Sequence, residues 1–310
     1  MNLDVCDRIF EEALNSTTES AFCHAIVPLF EYYKILSVGL SRGNIFWRAR
    51  TIKSKPFENL SDMYYPPSSL TAVGRLNDAG SPCFYIAQVK ETAIVEVDAK
   101  EGQLVQLAGF RVLDCNPVRL SVIGEYSNVQ KAGYMHFLGD DPDMTISKIL
   151  NSMPLHAALR TIYIDKFFAY VLADPEAGRK NYMMSRALTQ LIYARIKADG
   201  LVFPSVKDRG GFNIGIRPVS SDKCFHNVCC LVVRLGKKRR FGLLDFEVVK
   251  SAKMLDSNQN FIWDDSLKID KFGMYGMSKE EYEFAKINTG DRNALLNVLH
   301  RNRLKKQGTQ

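Results

Sequence analysis

The residues of this chain with the clearest chemical potential are clustered. The apolar segment IFWRAR carries Arg48 and Arg50, and the stretch from Gly74 to Glu96, GRLNDAGSPCFYIAQVKETAIVE, carries Arg75, Asn77, Tyr85 and Glu96. Arginine offers a planar fork of donors that keeps its charge and suits phosphate oxygens. A tyrosine ring can stack on a base. A fixed carboxylate stabilises a cation as it develops. Together these groups suit a dinucleotide.

Each residue also has a plainer reading. Arg48 and Arg50 are two apart on a strand and share a face, as would a pair of surface ion-pairing arginines. Tyr85 alternates with Cys83 and Ala87 and reads equally as a core tyrosine. Glu96 follows the apolar pair Ile94 and Val95, so it projects from a packed element, and it reads plainly as a solvated helix-face glutamate or a partner to Arg75. Asn77 and Gly80 shape the loop between, with Asn77 also available to a ribose. Ser205 ends a short apolar strand, where its hydroxyl caps the strand, bonds a ribose or orients Glu96. No GxSxG surrounds it, so nothing marks it as a nucleophile. Asn213, after a glycine pair, is a weaker candidate of the same kind.

The elements that position these groups follow from periodicity. Residues 3–14 and 18–34 have helical spacing. Strands are expected over 44–51, 83–89 and 103–114, with a helical turn from Glu91. A loop rich in Pro, Ser and Tyr spans 57–69, and Tyr64 and Tyr65 within it are expected to lie over the cleft. Residues 144–198 read as mainly helical, and Asp199-Gly200 closes the last helix, 181–198. Strands follow over 201–204, 212–218, 227–235 and 241–250, with GKKRR at 236–240 as a turn. Beyond 251 the pattern weakens to one helix over 279–288 and a basic tail. There is no regular βαβ alternation and no GxGxxG, so a doubly wound nucleotide fold is not expected and the class is α+β.

FWRAR, GRLN..GSP..Y, ETAIVE, DGLVFPS and GGFNIGI, in this order, closely resemble the RES domain family, which is named for its arginine, glutamate and serine. The resemblance covers about residues 42–220. Leu76 departs from it, since the family usually has an aromatic there. The resemblance implies a fold similar to that of ADP-ribosyltransferase toxins: split antiparallel sheets around an NAD cleft, here with helical N-terminal and central insertions. It implies NAD+ as substrate, with Glu96, Arg48 and Ser205 catalytic and Arg48, Arg75, Tyr85, Asn77, Arg50 and Asn213 binding the dinucleotide. The corresponding divisions are a helical extension at 1–41, a catalytic domain at 42–250 and a C-terminal extension at 251–310.

Three functions are compatible with this reading. The first is an NAD+-degrading toxin that releases nicotinamide to water or phosphate. The second is a mono-ADP-ribosyltransferase acting on a protein. Many toxin transferases carry an acidic residue or glutamine two positions before the glutamate; here that position is the apolar Ile94, which favours water or phosphate. The third is a basic binding module with an inactive fold, acting through Lys237–Arg240. The resemblance also implies an antitoxin or immunity protein as partner, and an oligomer is compatible with the sequence.

Composition sets the remaining bounds. The 310 residues are 46% hydrophobic and 24% charged, with a net charge of +7 that is mostly dispersed, so acidic partners are favoured without pointing to nucleic acid. Seven cysteines without a CxxC pair point to reduced thiols and a cytoplasmic site of action. The Cys224, His226, Cys229 and Cys230 spacing does not fit a zinc site, and no metal is expected. No apolar run reaches the roughly 18 residues of a membrane helix. The N-terminus lacks the pattern of a Sec signal peptide, which leaves delivery by a specialised secretion system open.

Overall fold

The computed structural model describes residues 1–264 apart from 42, 44, 114, 115, 241 and 242. Helices α1 (Leu3–Leu14) and α2 (Glu19–Ile26) open the chain, and strands β1 (Leu36–Leu40), β2 (Phe46–Thr51) and β3 (Phe84–Ala87) follow. Then come α3 (Lys90–Glu96), β4 (Leu104–Val112) and β5 (Val118–Val122). Four helices succeed them: α4 (Tyr126–Ala132), α5 (Thr145–Asn151), α6 (Leu155–Leu172) and α7 (Met183–Arg195). Strands β6 (Gly200–Pro204) and β7 (Phe212–Ile216), helix α8 (Pro218–Cys224) and strands β8 (Phe225–Lys238), β9 (Leu244–Leu255) and β10 (Phe261–Asp264) complete it.

Among the described residues the ten strands form one mixed sheet, ordered β1-β5-β6-β7-β3-β2-β4-β8-β9-β10. The expectation of purely antiparallel sheets is corrected at one place: β5 and β6 are parallel. A parallel pair needs a long crossover, and the helices α4 to α7 supply it. The sheet nevertheless has two halves. Between β2 and β3 a single pair, Trp47 with Ala87, is in register, whereas β2 pairs with β4 along its whole length. This seam is where the site forms.

The two faces of the sheet bury different cores. The larger gathers α1, α2, α4, α6 and α7 against one face. Phe10 of α1 stacks on Phe167 of α6 at 4.1 Å, so the N-terminal segment packs into the main core. The smaller core gathers Trp47, Ala87, Ala93, Ile94, Val105, Leu107 and Val233, and fixes α3 on the opposite face. Side chains cap the first two helices: Asn2 accepts from the N–H of Val5 and Thr18 from that of Ala21.

Three local expectations change. The segment 1–41 contributes β1 to the sheet, paired with β5. Strand β9 runs past 251 to Leu255, and β10 pairs with it. Tyr64 does not cover a cleft: its ring packs against Phe84 and Phe110 in the core, and the Tyr65 hydroxyl donates to Asp222. Apolar rings with a core neighbour at hand bury themselves. The helix expected over 279–288 and the basic tail lie outside the described residues. Among those described, no helix is long and apolar enough to cross a membrane.

One buried polar node joins the helices to the sheet. Asp165 on α6, with no exposed surface, accepts from the Tyr33 hydroxyl at 2.7 Å and from the N–H groups of Gly124 and Tyr126 at 2.9 and 3.0 Å. Burial raises its pKa from 3.8 to about 6, against the lowering effect of those donors. The folded value lies above the unfolded one. This group's contribution to stability is therefore fully present below 3.8 and is lost as pH rises through about 6. Asp165→Asn turns an amide toward the Tyr126 N–H, and about 1–3 kcal/mol of stability is expected to be lost. Urea unfolding checks this, and the wild type's advantage over the variant should grow as pH falls from about 7 to about 4.

Candidate active site

The seam opens into a cleft of about 570 Å³. One row across four strands lines it: Phe203 of β6, Asn213 of β7, Ala87 of β3 and Trp47 of β2. Helix α3 stands beside this row and brings Ala93 and Glu96 to the cleft, and Arg48, Arg75 and Tyr85 also line it.

Glu96 is the last residue of α3. Its Oε1 accepts from the Ser205 hydroxyl at 2.6 Å and from the Asn213 side-chain amide at 2.6 Å. Ser205 is itself fully engaged. Its Oγ accepts from the N–H groups of Lys207 and Asp208 at 3.2 and 3.0 Å. With both acceptor positions filled, the hydroxyl proton is directed at Glu96. Ser205 therefore orients the carboxylate, and it has no free lone pair for attack. Two neutral donors fix Glu96 and leave its other oxygen for a ligand.

Arg48 crosses the seam. It leaves β2 on the face opposite Trp47, and its Nη1 donates to the Tyr85 carbonyl of β3 at 2.8 Å. Its Nε is buried without a partner in the protein. Burial, and next the charge of Arg50, lower its pKa to about 10, so it is a cation at neutral pH. Arg75 donates to the carbonyls of Leu172 and Asp174 at 2.9 and 3.0 Å. Burial lowers its pKa, and Tyr182 and then Glu96 oppose that shift.

Tyr85 is held at its tip. Its hydroxyl donates to Asn77 Oδ1 at 2.9 Å and accepts from the Leu76 N–H at 2.8 Å. Burial pushes the phenol well above its ordinary pKa, so it keeps its proton. Only glycine fits ahead of Arg75, because a Cβ on Gly74 would collide with Asn77 Oδ1. Asn77 thus supports Tyr85 and does not line the cleft. Leu76 is buried over Gly215, where a Cβ would strike it.

The structure brings Arg48, Arg75, Tyr85, Glu96 and Asn213 to one cleft, with Ser205 and Asn77 directly behind two of them. Arg50 is not brought there. It donates to the Asp62 carbonyl and lies 4.1 Å from the Phe57 ring, beyond the seam where β2 faces β4. Ile94 is 1% exposed in the smaller core. On a helix the residue two before Glu96 lies about 200° round, so the apolar side chain there does not discriminate between acceptors. Ala93, three before, is the neighbour that faces the cleft.

The cleft also holds Lys207 and Tyr182, which the sequence did not single out. Lys207 donates to the Glu96 carbonyl at 2.9 Å and pairs with Asp98. It belongs to the loop VKDRGG directly after Ser205, and the signal was that position: loops following a site strand carry function. Tyr182, at the start of α7, lies under Arg75 with 5.4 Å between guanidinium and ring. Among the described residues no group of three His, Cys, Asp or Glu side chains converges to hold a metal.

The RES domain matches residues 45–234, more than half of the sequence, and this chain belongs to the RES domain family. Among solved structures it is similar to a chain in the crystal structure of the M. tuberculosis MbcT–MbcA toxin–antitoxin complex. That alignment covers 74% of this chain and 91% of the other, at 12% identity and a TM-score of 0.31. No curated protein matches it.

Proposed function

We propose that this protein is an NAD+-consuming toxin that cleaves the bond between nicotinamide and ribose, with water or phosphate as acceptor. The observation that carries this reading is Glu96, fixed by two neutral donors at 2.6 Å in a cleft that also holds two arginines and a tyrosine. The arginines suit the diphosphate, and Tyr85 suits the nicotinamide ring. As the C–N bond breaks, its electron pair leaves with nicotinamide, which departs neutral. Positive charge then grows on the ribose, and the free oxygen of Glu96 stabilises it. An acceptor oxygen adds to the ribose carbon, and its proton passes to solvent.

Family membership and the two-halved sheet support an ADP-ribosyltransferase-like arrangement, with residues 42–250 as the catalytic unit. An antitoxin or immunity protein would restrain such an enzyme in the cell that makes it. The test is nicotinamide release from NAD+ by the purified protein, with and without phosphate. Release accelerated by phosphate identifies phosphorolysis, and release indifferent to it identifies hydrolysis. Labelling of a protein in cell extract, with no release in its absence, would replace this reading with the transferase. Silence in all conditions would overturn it.

A further inference from the structure

A second cavity of about 400 Å³ adjoins the cleft, lined among others by Tyr170, Asp174, Glu176, Met183 and Met184. Tyr182 lines both spaces. The wall between them alternates: Pro175 faces the cleft, and Asp174 and Glu176 face the second cavity. The contacts run in series. Glu96 acts electrostatically on Arg75, Arg75 lies over the Tyr182 ring, and Tyr182 borders the second cavity. Arg75 is also anchored to this wall through the carbonyls of Leu172 and Asp174.

The backbone at the wall is strained. Asn181 and Tyr182 have φ of 49° and 55°, in the left-handed region that residues with a side chain rarely adopt. The surroundings hold the turn in place: the Tyr182 N–H donates to the Ala177 carbonyl at 2.8 Å, and Arg186 Nε donates to the Asn181 carbonyl at 3.1 Å. Such strain is maintained where it positions a group, and here it sets a phenol ring between two cavities.

We propose that the second cavity seats the adenosine half of NAD+, an inference that rests on the dinucleotide reading above. Tyr170 and Tyr182 offer aromatic surface to a purine, and Met183 and Met184 offer polarisable thioethers. The carboxylates of Asp174 and Glu176 accept from ribose hydroxyls. Arg179 pairs with Glu176 at 2.6 Å, and Lys180 is the second cation of the lining. These two cations offset the two carboxylates, which suits a neutral nucleoside better than a phosphate. The diphosphate stays with Arg48 and Arg75, and the substrate passes over Tyr182 from one space to the other.

Tyr170 is 57% exposed and does not line the catalytic cleft, so Tyr170→Ala should fold. Calorimetric titration with adenosine monophosphate is expected to show binding to the wild type, weakened about tenfold in Tyr170→Ala by the loss of stacking. Glu96→Gln should bind the mononucleotide as the wild type does. In turnover, Tyr170→Ala should raise KM for NAD+ about tenfold with kcat unchanged. Equal affinity of wild type and Tyr170→Ala for adenosine monophosphate, or no binding to either, overturns the inference whatever the KM. Absence of nicotinamide release overturns the reaction instead, and the titration alone then decides the cavity's role.

Discussion

Glu96→Gln is expected to fold as the wild type does and to lose turnover by about 10²–10³-fold or more. The amide oxygen of glutamine can accept from Ser205 and Asn213 in the same geometry, so the local network survives. What disappears is the negative charge that, in the proposed mechanism, faces the ribose. The ground state of NAD+ already carries its cation on the nicotinamide ring, whereas in the transition state that charge has moved to the sugar. A group that acts on the second distribution more than the first changes kcat. Nicotinamide release under saturating NAD+ measures it, with a thermal melt beside it to show that the fold is intact. Wild-type turnover in Glu96→Gln would remove Glu96 from the mechanism.

Arg48→Ala is expected to raise KM for NAD+ by about 10–100-fold, with a smaller change in kcat. A hydrogen bond from a charged donor contributes about 1.5–3 kcal/mol, which corresponds to that range. Arg48 lines the cleft at the seam with Nη1 engaged on the Tyr85 carbonyl, which leaves the charge of its guanidinium to a phosphate oxygen. Lysine does not substitute for it. An ammonium lacks the fork that donates to the Tyr85 carbonyl and to a ligand together, so Arg48→Lys should recover only part of the loss. Initial rates over a range of NAD+ concentrations decide this, and an unchanged KM in Arg48→Ala would place the diphosphate elsewhere.

The site residues were legible as chemical types, and their pairings were not. Arg48, Arg75, Tyr85 and Glu96 stand in the sequence as the groups a dinucleotide needs, and all four line one cleft. Arg50 has the same residue type and strand face as Arg48, yet it falls on the wrong side of the seam. The seam depends on which strands pair across long sequence separations, and local periodicity does not report that. The same limit hid β1, a short strand directly after a helical segment whose partner β5 lies some eighty residues on. It also hid the parallel pairing of β5 and β6. Ser205 was legible as a strand-end hydroxyl. That its lone pairs are occupied by the next two N–H groups depends on the turn of the loop, and the sequence VKDRGG does not specify it. Tyr182 was not singled out, because a left-handed backbone at a tyrosine leaves no mark in composition.

The single register pair between β2 and β3 makes the sheet a pair of jaws. Trp47 and Arg48 belong to one jaw, Tyr85 and Asn213 to the other, and the side chain of Arg48 is a latch where ladder bonds give out. A dinucleotide held by Arg48 and Tyr85 together would lace the jaws shut. Between turnovers the seam is the line along which the sheet should open first, so the β3 amides that face β2 should exchange faster in the free protein than those that face β7, and should be slowed by an occupant of the cleft.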